Sequence, residues 1–534
     1  MLTIGMYGIP DAPPSAAPTH THDHSLAFMR DGRVLDVVPL ERVTRRKHDN
    51  HLPQHIATLL AAYRDAGPTR FVSVNSFAGD RFISAEGDLR IEPRAPVTIA
   101  PDAVPAHVRW SVGRATHETE GWVLCHEFAH LGSLLPFVER FEPASLLVHV
   151  DGGASASACT AWWWDGREAR LLEASWDLLK EPLNNFNVGP LARLALGMSP
   201  SDHLAMPGKL MGLAGHGRPD AALRHWLADR SFFLGRDDDE ARAALDGYFG
   251  SIIPWADLAA TVQLDFERRV SAQILAWQDR TGARTLYYAG GAALNIPTNA
   301  ALEASGRFDA IHIPPCTNDT GLALGAAAWL EYRERGHIER HDAFLATSDT
   351  GEPTLAEIDE IVARLAAGDV LGLCHGRAEV GPRALGHRSI VARPDDIALR
   401  QRVSEHIKRR EPYRPVAPVL LAEVALAVFG PAVAHSRLAP YMLGAWKLLP
   451  GWEPHFRGVI HADGTLRAQV ASEGDAFLTA LLRRLWRDHG VAGLINTSFN
   501  GPGEPLVHTR ADALGCARRL GLDGVVIEGR LLPA

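Results

Sequence analysis

The chain has no stretch of about 18 uninterrupted apolar residues, the length a helix needs to cross a lipid core. Its start, Met1 to Pro10, shows neither a basic leader nor a small-residue cleavage site, so a cytoplasmic protein without membrane association is expected. Cysteine is scarce. The five residues Cys125, Cys159, Cys316, Cys374 and Cys516 form no CxxC pair, and an odd number leaves one over, so free thiols are expected. Positive charge is in deficit: the formal net charge is -9, which argues against a broad nucleic-acid surface, because such a surface neutralises many phosphates with Lys and Arg. Any basic site must be local. A Walker motif is also missing: the Gly-rich segment GKLMGLAGHG (208–217), read here as a loop, places Lys209 outside the GxxxxGK[ST] frame.

At 534 residues and 46% hydrophobic content, the chain is too long for one core and too apolar for disorder, so two or more domains are expected. Leu2 to Tyr7 reads as a strand, followed by alternating runs at Ser25 to Arg30 and Arg33 to Leu40 around Asp31-Gly32, a strong hairpin signal. The order recurs as Leu146 to Asp151, Ser157 to Trp164 and Arg167 to Ala174 around Asp165-Gly166. Two copies of strand and hairpin, each followed by helical sequence, suggest an α/β fold with duplicated halves of the actin-like, sugar-kinase type, which hold a nucleotide between them. Polar sequence from Gly336 to Pro353 precedes a second alternation, from Leu371–His375 to Val525–Glu528, which places a domain boundary near Ser348.

Several motifs carry chemistry. His126 and His130 in CHEFAH stand four apart, so a helix projects both imidazoles from one face toward a shared metal. The same string matches HExxH, with Glu127 as the water-activating base of a zinc protease, and a merely structural His pair is the third reading. Asp151, ending a strand, and Asp319, in NDTGLALGAA, supply carboxylates to complete a mixed shell that suits Fe, Mn or Zn. Gly290-Gly291, between an apolar run and a helix-like segment, forms a turn whose amides can approach a phosphate. Arg377, Arg383, Arg388, Lys408, Arg409, Arg410 and Arg414 concentrate positive charge. For Lys408 to Arg410 a solvated helix is the plain alternative, whereas Arg383 and Arg388, in the glycine-constrained EVGPRALGHRS, point to an anion pocket. In LINTSFNGPGEP, Asn496, Thr497, Ser498 and Asn500 follow an apolar strand and offer hydrogen bonds to a ligand.

These blocks, with HDHS, LER, RRKH, VDG, AGGAALN and IKRREPYRPVAP, occur in an order that resembles the NodU/CmcH carbamoyltransferases of nodulation and antibiotic tailoring, over nearly the whole chain. The resemblance implies a duplicated actin-like (ASKHA) domain at residues 1–347, similar to the metal-dependent tRNA threonylcarbamoyl-transfer proteins, and a YrdC-like α/β domain at 348–534. It implies carbamoyl phosphate and ATP as substrates, with Mg²⁺ accompanying the ATP. Carbamoyl adenylate forms in the YrdC-like domain, and the carbamoyl group then passes to a hydroxyl of a small, secondary-metabolite acceptor. The implied metal ligands are His126, His130, Asp151 and Asp319, with Fe²⁺ placed ahead of Mn²⁺ or Zn²⁺. The implied catalytic residues are His22, as the base that takes the hydroxyl proton in preference to His20 or His24, and Lys408 and Arg414. Gly290, Gly291, Asn295, Arg383, Arg388, Lys408, Arg410, Arg414, Asn496, Ser498 and Asn500 are the implied nucleotide and carbamoyl phosphate contacts.

Two departures from that family stand out. Glu127 occupies the place of a second His in HHxxH, and Gly153-Ala154-Ser155-Ala156 replaces a Gly-Glu pair with hydroxyl residues. The competing functions are an HExxH protease, a fused tRNA-modifying threonylcarbamoyl transferase, which would want a positive RNA-facing surface, and a nucleotide-sensing scaffold without catalysis. Acceptor identity is not encoded legibly, and oligomeric state stays open between monomer and homodimer.

Overall fold

All six residues of LTIGMY, Leu2–Tyr7, are buried, as expected of a strand covered on both faces in the middle of a sheet. In the computed structural model this is β1. The structure describes all residues except 10–20, 64–66, 113–114, 179–188, 231 and 233–236, so His20 lies outside the described residues. The other strands of its sheet are β2 (Ser25–Arg30), β3 (Arg33–Pro39), β4 (Thr69–Val74), β5 (Phe82–Ile83), β6 (Leu89–Pro93), β7 (Val104–Val112) and β8 (Ala115–Leu124). They lie in the order β3-β2-β1-β4-β8-β7-β6-β5.

A second sheet comprises β9 (Ser145–Val150), β10 (Cys159–Trp164), β11 (Ala169–Ser175), β12 (Thr285–Ala289) and β13 (Ala310–His312), ordered β11-β10-β9-β12-β13. The strand-and-hairpin order read at both places in the sequence is present in both sheets. In each copy a first strand pairs antiparallel with a hairpin and parallel with a later strand. The second turn is wider than the Asp-Gly pair suggested, because Asp165 Oδ1 accepts from the amides of Arg167 and Glu168 at 2.8 and 2.9 Å and delays the strand to Ala169.

The helices His126–Gly132 and Leu322–Arg335 cross at glycines. A Cβ on Gly325 would lie 1.8 Å from the Ala129 carbonyl oxygen, and one on Gly132 would lie 2.3 Å from the Gly325 carbonyl oxygen. This backbone contact presses the histidine helix against the segment that opens with Asp319.

The C-terminal part is a seven-stranded mixed sheet in the order Gln469–Val470, Ala417–Leu420, Leu494–Ser498, Arg388–Ala392, Leu371–Cys374, Gly524–Ile527 and Arg530–Leu532. Around Ser348 the chain is stitched rather than loose. Phe344–Ala346 pairs antiparallel with Ala378–Glu379, and Arg377 donates to the Leu35 carbonyl at 2.8 Å. GKLMGLAGHG is not a loop: Met206–Ala214 is helical, with Pro207 in its first turn, where a missing N–H is harmless. Among the described residues no helix is long and apolar enough to cross a membrane.

Candidate active site

The helix His126–Gly132 puts its two imidazoles one above the other, with Nε2 atoms 3.1 Å apart. Asp319 Oδ1 stands 3.8 Å from His126 Nε2 and 3.5 Å from His130 Nε2, and Asp151 Oδ2 stands 3.7 Å from His130 Nε2. Ligands about 2.1 Å from one ion stand roughly 3.0–3.4 Å apart at right or tetrahedral angles, so this spacing suits a shared divalent cation. Burial holds His126 down to about 4, in the neutral form that ligates. His126, His130 and Asp319 form one group with ligand atoms within 4.8 Å of one another, and Asp151 groups with His130 and the buried His149. Asp151 is fixed by the Gly291 amide, and Asp319 Oδ2 accepts from the Tyr7 hydroxyl at 3.0 Å.

His22 faces this cluster from the other side, its Nε2 4.0 Å from Asp319 Oδ2. Its Nδ1 donates to Asp23 Oδ2 at 3.0 Å, and Asp23 also accepts from His48 Nδ1 at 2.9 Å and Asn318 Nδ2 at 3.1 Å. Burial opposes charge on His22, but Asp319 and the bonded Asp23 outweigh it and lift the imidazole to about 9. The carboxylates around His22 thus favour its protonated form, with Asp319 the larger influence.

Glu127, one residue after His126, points away. It is fully buried and accepts from Ser155 Oγ at 2.6 Å, the Ala156 amide at 2.8 Å and Ser157 Oγ at 3.3 Å. An HExxH helix always carries this one-residue step from its first His to its Glu, so the decisive feature is where the carboxylate is held. The protease reading fails because Ser155, Ala156 and Ser157 occupy the carboxylate that would have to activate water at the metal. The departure at Ser155-Ala156 gains a physical sense as well: that loop is the partner of Glu127.

Four guanidinium groups, Arg383, Arg410, Arg414 and Arg467, converge on a cavity of about 620 Å³. Burial, reinforced by Arg414, pulls Arg383 down to about 10, and burial with Arg414 and Arg383 pulls Arg410 down to about 9. Glu411 lies 3.8 Å from Arg414 but is shared with Lys209 at 2.7 Å, so the cluster keeps a positive excess that an anion relieves. A second cavity of about 400 Å³ is lined by His22, Asp151 and Asp319, and also by Arg383, Arg410, Arg414 and Ser498, which line the first.

The sequence matches a model described as the carbamoyltransferase C-terminus at residues 362–533 and one described as the carbamoyltransferase N-terminus at 191–328. The chain belongs to the carbamoyltransferase family. It is 28% identical to the nodulation protein NolNO of Sinorhizobium fredii over 96% of this chain and 79% of the relative. It is 32% identical to the 3'-hydroxymethylcephem-O-carbamoyltransferase of Amycolatopsis lactamdurans over 60% of this chain and 63% of the relative. Among solved structures, HypF of T. kodakarensis aligns with 63% of this chain and 48% of its own at 10% identity, with a TM-score of 0.32.

Several expected contacts of this carbamoyltransferase sit elsewhere than the sequence suggested. Arg388 is fully buried away from both cavities, its N–H fork spent on the carbonyls of His375, Gly376, His387 and His508 and the hydroxyls of Ser348 and Thr350. It is a structural clamp. Lys408 lines neither cavity. It is buried, with its ammonium pulled well down by desolvation and Arg410, and it donates to the carbonyls of Ser498 and Asn500, both at 2.6 Å. This braces the strand end rather than a substrate.

The Gly290 and Gly291 amides donate to the Thr317 carbonyl, at 3.0 Å, and to Asp151, so neither is turned to a phosphate. Gly290 is required at φ 100°, with Val150 oxygen 2.2 Å from any Cβ. Asn295 lines the smaller cavity while its side chain caps a helix at Thr298 and pairs with Gln263. Asn496 lines the larger cavity but donates to Gln469 at 2.6 Å; Asn500 lines the smaller one and donates to the Glu504 carbonyl at 2.6 Å. The sequence reading missed Arg467, Tyr7, Asp23 and His48. Arg467, alone in TLRAQV, has no local signal, and it joins Arg383, Arg410 and Arg414 only through the fold.

Proposed function

We propose that the chain is an ATP-dependent O-carbamoyltransferase that makes carbamoyl adenylate from carbamoyl phosphate and ATP and delivers the carbamoyl group to a hydroxyl of a small secondary metabolite. The observation that carries this reading is the shared wall: Arg383, Arg410, Arg414 and Ser498 line both the arginine cavity and the cavity holding His22 and Asp319. An acyl adenylate made on one side reaches the other without crossing bulk water. Residues 1–347 would form the duplicated actin-like transfer domain, in line with the repeated strand order, and 348–534 the YrdC-like adenylating domain.

In the larger cavity the excess of guanidinium charge offsets the repulsion between carbamoyl phosphate and the triphosphate, which enters with Mg²⁺. One water cleaves carbamoyl phosphate to carbamate and phosphate. The carbamate oxygen then attacks the α-phosphorus of ATP, and pyrophosphate leaves. In the smaller cavity the acceptor hydroxyl attacks the carbamoyl carbon and AMP departs. His22 Nε2 takes the hydroxyl proton, with Asp23 holding its Nδ1 proton in place. A divalent metal, Fe²⁺ in the first instance, at His126, His130, Asp151 and Asp319 would supply Lewis acidity. A cation held by Asp319 would offset the carboxylate charge that favours the imidazolium, leaving His22 Nε2 free to accept a proton.

The test is release of AMP and pyrophosphate from ATP with and without carbamoyl phosphate, using the wild-type protein and Arg414→Ala. Release that depends on carbamoyl phosphate and falls at least tenfold in the variant supports the reading. ATP cleavage indifferent to both refutes it.

A further inference from the structure

A second cluster of metal-ligating side chains lies in the C-terminal sheet, apart from the residues that line the two cavities. His375 follows strand Leu371–Cys374 and His387 precedes strand Arg388–Ala392. Those strands run antiparallel with Leu371 opposite Val391 and Cys374 opposite Arg388, so continuing the register sets His375 opposite His387. Directly opposed residues have side chains within reach of one another, and the two rings are 4.6 Å apart between centroids. The third member, Asp475, arrives as the N-cap of helix Ala476–His489, its Oδ1 accepting from the Leu478 amide at 3.0 Å.

The free valences all turn inward. His387 Nδ1 donates to the Arg377 carbonyl at 2.7 Å, which turns Nε2 toward Asp475 Oδ2 at 3.6 Å, beyond ordinary hydrogen-bond length, where the carboxylate attracts either a proton or a cation to the ring. Asp475 Oδ2 is buried and has no hydrogen-bond partner. His375 is fully buried, and neither of its ring nitrogens has a partner. Desolvated acceptors left unpaired are costly, and here three side chains each bring at least one into the same space, with ligand atoms within 4.8 Å of one another.

A backbone carbonyl that accepts from one ring nitrogen and leaves the other to ligate is the usual outer support of a metal-ligating histidine. Two ligands about 2.1 Å from one ion at a tetrahedral angle stand roughly 3.4 Å apart, close to the separation of His387 and Asp475. The backbone on either side is rigid, because the Arg388 guanidinium holds the carbonyls of His375, Gly376 and His387. A Cβ on Gly386 would lie 3.3 Å from Asp475 Oδ2, so the glycine there keeps the space around that oxygen open.

We infer that His375, His387 and Asp475 form a second divalent transition-metal site, of the Zn²⁺ class, independent of the cluster around Asp319. Imidazole ligands exclude a Mg²⁺ or Ca²⁺ site. The ion would tie the end of the central strand pair to the start of helix Ala476–His489, behind the segment that presents Arg383. It acts as a structural clamp and takes no part in group transfer.

The experiment counts bound metal in the intact chain. The protein is stripped with chelator, dialysed and titrated with Co²⁺, with visible d–d absorption read out and bound Zn²⁺ measured by mass spectrometry after exchange. Asp475→Asn keeps the helix cap, since Asn accepts the same amide bond, and removes the charged ligand. His375→Gln is the second variant. The number of tightly bound equivalents should fall by one in each variant, whatever the count at the first cluster, with circular dichroism unchanged. An unchanged count in Asp475→Asn, or a wild-type protein that binds no Co²⁺, overturns the assignment. Loss of thermal stability in Asp475→Asn without loss of metal would mean a plain imidazolium–carboxylate pair, and would overturn it as well.

Discussion

Replacing Glu127 separates a structural role from a chemical one. Its buried carboxylate receives two firm bonds, from Ser155 Oγ and the Ala156 amide, and a longer one from the buried Ser157 Oγ, with Ser155 half-buried and Ala156 exposed. A hydrogen bond to a charged group is worth roughly 1.5–3 kcal/mol, so losing the two firm ones in Glu127→Ala should destabilise the protein by roughly 3–6 kcal/mol. Glu127→Gln keeps the shape and one acceptor oxygen. The Ser155 hydroxyl can turn to accept, and the expected loss is about 1–3 kcal/mol. The region that loosens is the loop after Asp151, so hydrogen exchange at Ala154 to Ser157 should rise in both variants before the rest of the chain is affected. Because Glu127 touches no reacting atom, Glu127→Gln should retain at least about a tenth of the carbamoyl-transfer rate, whereas loss of a general base costs roughly 10²–10⁴-fold. Calorimetry, exchange mass spectrometry and a carbamoylation assay on one preparation decide the matter. A variant with unchanged melting and exchange but activity lowered a hundredfold or more would refute the structural account and restore Glu127 to the chemistry.

Arg467→Ala should raise the melting temperature of the anion-free protein, since it relieves a buried like-charge cluster, and should weaken ATP binding roughly tenfold or more by titration calorimetry. Arg388→Lys should do the reverse: destabilisation on the order of 3 kcal/mol from the lost fork of hydrogen bonds, seen by calorimetry, with ATP affinity preserved in the folded fraction. Gly290→Ala should cost about 3 kcal/mol or more and displace Asp151, because the new Cβ meets the Val150 carbonyl and φ is 100°; low soluble yield and a lowered melting temperature check it. Burial holds His312 and His508 down to about 4 in the fold, against about 6.5 unfolded. Their contribution to stability is therefore fully present above pH 6.5 and is lost as pH falls toward 4, so the melting temperature should decline across that window.

The sequence by itself determined a good deal of this protein. Asp31-Gly32 and the run that follows Asp165-Gly166 announced two hairpins, and periodicity placed β1, β2 and β12 within a residue. The spacing of His126 and His130 set their common face, because rotation along a helix is a local property. Of the two arginines in EVGPRALGHRS, Arg383 lines the cavity and Arg388 is buried away from it, since neighbouring residues on a strand and its lead-in face different surroundings. What tertiary structure alone decided is which charges meet. Arg467 joins Arg383 from a strand some eighty residues away, Lys408 turns its ammonium into Ser498 and Asn500, and Glu127 finds Ser155 rather than a metal. Local sequence sets dihedral angles and faces, but the partner of a buried charge is chosen by the contacts that remove water from it. Those contacts are made between segments the chain brings together only when it folds.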